Sequence, residues 1–442
     1  MNTASKATRI DLIDFKTPPM RAFHVTWIAF FVSFFGWFGL APILALARED
    51  LGLTKEQVGN TLIASVAATV FVRLVVGPLC DRVGPRKVYT WLLLLGSIPV
   101  AAVGLSSSYE TFLLFRLAIG AIGASFVVTQ YHTSLMFAPN CVGTANATTA
   151  GWGNAGGGAA QMVMPLLVAG LAALGLSESL SWRLSMAVPG IALFLCGLAY
   201  YFLTQDTPEG NFSELRAAGK LPPPSKTGTF GMAAKDARAW GLFFLYGACF
   251  GVELTVHNVA PLYFRDRFGL DLKTAGLLAG VFGIQALFAR PLGGWIGDKA
   301  GNRWGLQGRA LYLGFMVLLE GIALVIFSRM PSAALAAASM IVFGLFVHMA
   351  AGATYAVVPF INKKATGSVA GIVGAGGNAG AVLAGLFFRS ESLSTEAGLL
   401  WLGILVAAVS AACFSFYLAP RDEGEVVELP QREAALPQAV AG

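Results

Sequence analysis

Arg73-Leu74-Val75-Val76-Gly77-Pro78-Leu79-Cys80-Asp81, running on into Arg82 and Gly84, has a counterpart far down the chain. That counterpart is Arg290-Pro291-Leu292-Gly293-Gly294-Trp295-Ile296-Gly297-Asp298, running on into Lys299 and Gly301. Both read Arg, three residues, Gly, three residues, Asp, then a cation, one residue and Gly. Each arginine stands inside an apolar run. The trailing Asp lies eight residues on, about 12 Å along a helix, close to the bilayer half-thickness of about 15 Å. With each Asp at the membrane surface, each Arg lies near the midplane. An arginine there costs about 2.5–3.5 kcal/mol even on the lenient insertion scale, so it marks a functional site by default. Two of them at matching places in two halves of one chain imply an anionic ligand shared between the halves.

Composition supports this membrane reading. The chain of 442 residues is 56% hydrophobic and only 12% charged, too little charge for a soluble surface of this size. Apolar runs of helix length recur from Ala22 to Leu418. They read as twelve spans: 22–47, 56–79, 88–105, 109–137, 144–175, 182–204, 238–264, 273–297, 309–328, 332–361, 365–388 and 395–419. No cleavable signal is expected, because residues 1–21 are polar and the first apolar run is too long. The polar stretch Gln205–Ala237, with Pro222-Pro223-Pro224, reads as a linker between a first six-helix bundle (22–204) and a second (238–419). Residues 420–442 read as an acidic tail. The five cysteines have no metal or disulfide spacing.

The net charge of +6 follows topology rather than a nucleic-acid surface. With the N-terminus inside, nineteen of the 30 Lys and Arg fall on inside segments, eight on outside loops, and Arg73, Arg116 and Arg290 inside the membrane. This asymmetry places both termini in the cytoplasm.

A second repeat joins the first. Span 5 carries Gly151-Trp152-Gly153-Asn154-Ala155-Gly156-Gly157-Gly158 and span 11 carries Gly374-Ala375-Gly376-Gly377-Asn378-Ala379-Gly380. Each half thus supplies one arginine helix and one Gly/Asn helix. Bare glycine lets helices, or a ligand, approach the backbone closely.

The stretch Gly77–Lys87 resembles the loop signature of the major facilitator superfamily, weakly repeated at Gly294–Arg303. The signature residues are Gly77, Asp81, Arg82, Gly84 and Arg86, with Gly294 and Asp298 in the second copy. The glycine stretches resemble the paired signatures of its nitrate/nitrite porter family. Span 7, Tyr246-Gly247-Ala248-Cys249-Phe250-Gly251-Val252-Glu253-Leu254-Thr255, is most similar to the assimilatory, high-affinity branch. The resemblance implies an all-α, twelve-helix fold of two pseudo-symmetric bundles with a midplane site. It implies nitrate bound by Arg73 and Arg290, whose rigid guanidinium forks suit a planar oxyanion. Asn154, Asn378, Gly153 and Gly377 would line the ligand, and Phe126 and Tyr355 would enclose it. Tyr246, Phe250, Glu253 and His257, at offsets of 0, 4, 7 and 11, share one face of span 7, which should line the central cavity with Tyr246 and Phe250 against the nitrate.

Two roles are open for Glu253: a proton site, or a counter-charge for one arginine. Arg116 and Glu320 read as structural. The expected function is nitrate transport across the cytoplasmic (inner) membrane by a monomeric, alternating-access carrier in a lipid bilayer. Proton-coupled uptake is favoured over nitrate/nitrite antiport. An anion channel is a weaker rival, as is a membrane-embedded enzyme, since no nucleophile–base or metal cluster is visible. No cofactor, metal or nucleic-acid partner is implied.

Overall fold

The computed structural model describes residues 6–138, 141–221, 230–362, 366–389 and 392–418. Pro222-Pro223-Pro224, Lys363, Lys364 and the tail from 420 lie outside the described residues, as do the side chains of Asp81 and Asp298. Twelve long helices run through the described residues: α1 (Pro18–Asp50), α2 (Lys55–Val83), α3 (Pro85–Leu105), α4 (Tyr109–Met136), α5 (Val142–Ala173), α6 (Glu178–Leu203), α7 (Ala237–Phe268), α8 (Leu272–Gly301), α9 (Arg303–Phe327), α10 (Ala333–Val357), α11 (Thr366–Arg389) and α12 (Thr395–Phe414). Eleven are apolar and long enough to cross a membrane by composition alone. The twelfth is α2, the first arginine helix, 29 residues long.

The helix starts follow from the sequence. Every even-numbered helix opens on a hydroxyl or carboxylate that accepts a backbone N–H of the first turn: Thr54, Ser108, Ser177, Asp271, Ser332 and Ser394. These six caps lie at the end of the bundle remote from the chain termini, here the far end. Outward faces of the helices carry exposed apolar side chains, such as Trp91, Leu95 and Ile98 on one side of α3. Such a belt is stable against lipid and not against water.

Within each half the glycine stretches close one helix pair. A Cβ at Gly156 of α5 would sit 2.1 Å from the Phe31 carbonyl of α1, and one at Gly380 of α11 would sit 2.1 Å from the Gly247 carbonyl of α7. Between the halves α2 packs on α11 and α5 on α8. The far end is tied across the halves by ion pairs. Arg48 meets Asp266 at 2.9 Å and Arg265 meets Glu49 at 2.7 Å. Arg389 pairs with Glu56 beside them.

Two connections depart from expectation. Helices α8 and α9 are not separated by a loop; helical backbone runs on, broken only at Gly305, whose φ of 66° lies in the left-handed region. The described parts of the linker also carry short helices, at Phe212–Ala217 and Phe230–Ala234. Its first residues are part of the bundle. Asp206 is buried and accepts from the backbone N–H of Arg86 (2.8 Å) and of Phe212 (2.9 Å), so it caps the start of α3. Gly84, at φ 97°, has no room for a Cβ, which would stand 2.4 Å from the Asp206 carboxylate. Burial pushes the Asp206 carboxyl up from its ordinary range, against the pull of those two N–H groups. Asp206→Ala strands both donors and is expected to cost about 1–3 kcal/mol. The check is the thermal unfolding midpoint of purified protein in detergent, and an unchanged midpoint would remove Asp206 from this role.

Candidate functional site

Arg73 of α2 is 7% exposed and Arg290 of α8 is 2% exposed, so both guanidinium groups are inside the protein. Their partners differ in kind. Arg73 donates through Nη1 to the Gly374 carbonyl of α11 (3.0 Å) and through Nη2 to the Gly123 carbonyl of α4 (3.1 Å). Helix α4 tightens into a 3-10 turn over Ala121–Ala124, one residue short of Phe126, and Gly123 lies in that turn. Among the described residues no carboxylate lies within ion-pair distance of Arg73. Arg290 instead donates through Nη2 to Oε2 of Glu253 at 2.5 Å, a fully buried pair. Among the described residues the site therefore holds two cations and one anion: Arg290 is neutralised, and Arg73 meets carbonyl dipoles and no carboxylate. Each arginine also keeps a buried Nε–H without a partner.

Aromatic rings fill the space between them. Phe250 of α7 has Arg73 5.8 Å and Arg290 5.6 Å from its ring centre, and Arg73 is also 5.5 Å from the Phe126 ring. Tyr246 stacks on Phe250 with centroids 5.0 Å apart. Tyr355 of α10 meets Phe126 at 5.4 Å and Tyr246 at 5.2 Å, edge to face. Helix α7 brings Tyr246, Phe250 and Glu253 to one stripe because they are four and three residues apart. Gly377 makes room for that stripe: a Cβ there would stand 2.6 Å from Phe250 and 2.9 Å from Tyr246. Asn378 is buried, donates to the Gly374 carbonyl at 3.2 Å, and leaves Oδ1 unpartnered.

The α5 residues stand apart from this cage. Gly153 faces Phe30, whose ring lies 5.8 Å from Phe126, so it borders the cage through one intervening side chain. Asn154 is fully buried with neither amide atom partnered. It shares a helix face with Gly151 and Gly158, which abut Ala286 and Ile284 near the start of the Arg290 segment. His257 lies outside the cage as well, between Phe38 (4.7 Å) and Phe282 (5.5 Å). Arg116 is fully buried and donates to Oδ1 of Asn258 on α7 at 3.1 Å, a bond between the halves. Glu320 is fully buried on α9 with both oxygens unpartnered, more enclosed than a peripheral helix suggests. In the loop signature, Gly84 and Arg86 meet Asp206, the Arg82 carbonyl accepts from Arg216, and Gly294 lies on α8 with the Gly352 carbonyl of α10 3.7 Å from its Cβ position.

Sequence reading overlooked His348. Its Nδ1 is 3.5 Å from Oε2 of Glu253 and its Nε2 is 2.8 Å from the Phe282 carbonyl. A lone histidine in an otherwise apolar span was the available signal, since the chain has only four.

Comparison with known proteins gives the family of the chain. Residues 26–385 match the Major Facilitator Superfamily. "High-affinity nitrate transporter 2.3" of Oryza sativa subsp. japonica is 38% identical over 414 residues, covering 93% of this chain and 80% of its own. "High affinity nitrate transporter 2.5" of Arabidopsis thaliana is 37% identical over 411 residues, covering 93% and 82%. "Nitrate/nitrite transporter NrtP" of Nostoc punctiforme is 30% identical over 483 aligned positions, covering 92% and 95%. Among solved structures, a bacterial homologue of the human lysosomal transporter Spinster, inward-facing and occupied, aligns with a TM-score of 0.67 at 16% identity, covering 90% of this chain and 97% of that one. The nucleoside transporter NupG aligns with a TM-score of 0.61 at 15% identity, covering 90% and 99%. At these identities the structural matches speak for the fold alone, whereas the sequence matches extend over nearly the whole chain. The chain belongs to the Major Facilitator Superfamily, and within it to the nitrate/nitrite porter family of transporters, not to a class of enzymes.

Proposed function

We propose that this chain carries nitrate inward across the cytoplasmic membrane by alternating access, with proton-coupled uptake. The observation that carries the reading is the buried charge imbalance. Arg73 has no carboxylate among its described neighbours, and it faces the Glu253-paired Arg290 across the Phe250 ring. One cation without a carboxylate among its described neighbours, in a buried, aromatic-walled site, calls for a small monoanion, and a flat one fits between rings. The names of the relatives point to the same anion. Nitrate would engage both guanidinium groups and draw the halves together, so that occupancy permits closure. The amide of Asn378, beside the Gly374 carbonyl that Arg73 reaches, would donate to it at no charge cost. The far-end ion pairs fit a carrier shut on the outside, given cytoplasmic termini.

Coupling follows from electrostatics. Moving one negative charge inward against an inside-negative potential costs about 2.3 kcal/mol per 100 mV. Nitrate stays ionised, so symport needs more than one proton per anion to use the potential. Exchange for internal nitrite avoids the cost and is the alternative. Glu253 and His348, beside Arg290, supply titratable groups for the first route. Counterflow of labelled nitrate in liposomes, with and without internal nitrite and an imposed pH gradient, separates the two. Uptake that ignores the gradient and requires internal nitrite would establish antiport; flux that neither saturates nor counterflows would establish a channel.

Orientation is tested separately. In a protein freed of native cysteines, Lys220→Cys on the linker should resist impermeant thiol reagents in intact cells, whereas Leu174→Cys, exposed at the far end, should label readily. The reverse pattern would invert the topology.

A further inference from the structure

His348 of α10 is fully buried, and its two ring nitrogens face different groups. Nε2 lies 2.8 Å from the Phe282 carbonyl of α8. A carbonyl only accepts, so Nε2 carries the hydrogen. In the neutral ring, Nδ1 then presents a lone pair. That lone pair faces Oε2 of Glu253 at 3.5 Å and has no hydrogen-bond partner among the described residues. A lone pair against a carboxylate oxygen in a dry interior is repulsive, and a single proton on Nδ1 turns it into an attraction. The same Oε2 accepts from Arg290 at 2.5 Å, and Oε1 has no partner. One carboxylate is thus shared between an arginine of the anion site and an imidazole nitrogen lacking a proton.

We infer that His348 is a proton-binding site linked to the anion site, taking up a proton at Nδ1 when nitrate engages Arg290 and loosens its hold on Glu253. This deepens the proposed function and rests on nitrate binding at Arg290. The charges set the sign. Before binding, Arg290 holds Oε2 of Glu253, and the charges of Arg73, Arg290 and Glu253 sum to one positive. A bound nitrate cancels it, and the carboxylate turns to the imidazolium. Proton and nitrate therefore favour each other, and by linkage each raises the other's affinity equally. The other titratable groups around His348 are accounted for. From α7 come Glu253, Cys249 and His257; from α8 comes Arg290; from α9 comes Glu320, whose carboxyl interacts electrostatically with Glu253. His257 has both ring nitrogens unpartnered and is the competing proton site. It lacks a hydrogen-bond acceptor to fix its tautomer and a carboxylate at ion-pair distance among the described residues.

The test is nitrate titration of the full-length protein in lipid nanodiscs by calorimetry. It is run in buffers of different ionisation enthalpy, between about pH 5 and 8, where imidazoles titrate. The wild type should take up about one proton per nitrate, with affinity weakening by up to about tenfold per unit as pH rises. His348→Gln should still bind nitrate, with no proton uptake and a flat pH profile. His257→Gln should keep both. Should the Gln variant not fold, His348→Asn serves in its place. Proton uptake that persists without His348, or disappears with His257→Gln while surviving His348→Gln, overturns the assignment. Nitrate heat without proton uptake in the wild type overturns the linkage alone; no nitrate heat at all overturns the reading of the site and the linkage with it.

Discussion

Arg73→Lys is expected to weaken nitrate binding by about 2–4 kcal/mol, the scale for breaking a buried charge-assisted contact, although the charge is conserved. The reason lies in the geometry of its two Nη atoms. They reach the Gly123 carbonyl in the first half and the Gly374 carbonyl in the second, 3.1 and 3.0 Å away. A guanidinium holds both and still offers Nε–H to a ligand, because its five donors lie in one rigid plane. An ammonium is a point charge that cannot keep both carbonyls and present a flat edge to a planar anion. Arg290→Lys should lose binding too, but less, because a lysine could keep the ion pair with Glu253. Equilibrium binding to purified, monodisperse variants reads this directly. Wild-type affinity in Arg73→Lys would take that arginine out of the site.

Much of this arrangement could be read from the chain because it is repeated. The two arginines, the two Gly/Asn stretches and the Tyr246–Phe250–Glu253 stripe each follow a period, and periods survive in one dimension. What could not be read depends on which helix crosses which. Nothing in Ala121–Ala124 announces the 3-10 turn containing the Gly123 carbonyl that Arg73 reaches. His348 is one polar residue in an apolar helix, and only the crossing of α7 and α10 puts it beside Glu253. Asp206 looks like an ordinary linker acid until the chain folds back to the start of α3. The glycines were legible as close-approach points but not by target: Gly377 accommodates the cage rings, whereas Gly153 accommodates Phe30. Arg116 was legible as a buried cation, yet its acceptor, Asn258, sits in the other half.

Glu253→Gln should separate net transport from exchange. The substitution keeps the shape of the side chain and removes the negative charge that neutralises Arg290. The empty site then holds two buried guanidinium groups with no counter-charge. Removing one partner of a buried ion pair costs about 3–5 kcal/mol. That cost falls on the empty carrier, because a bound nitrate restores an anion beside Arg290. Nitrate should therefore bind at least as tightly as in the wild type, and nitrate–nitrate exchange, which never needs the empty form to reorient, should persist. Net uptake requires the empty form to close and return. With about 1.4 kcal/mol per factor of ten, it should fall by about 100-fold or more. The measurement is paired flux in proteoliposomes: labelled nitrate into vesicles with and without internal nitrate. Net uptake within a few-fold of wild type would mean that Arg290 does not depend on Glu253 for its charge balance. Running the same vesicles with and without a pH gradient divides the two roles of the carboxylate. As a counter-charge, its loss depresses net uptake in both conditions; as the carrier of the coupled proton, its loss abolishes only the gradient-driven part.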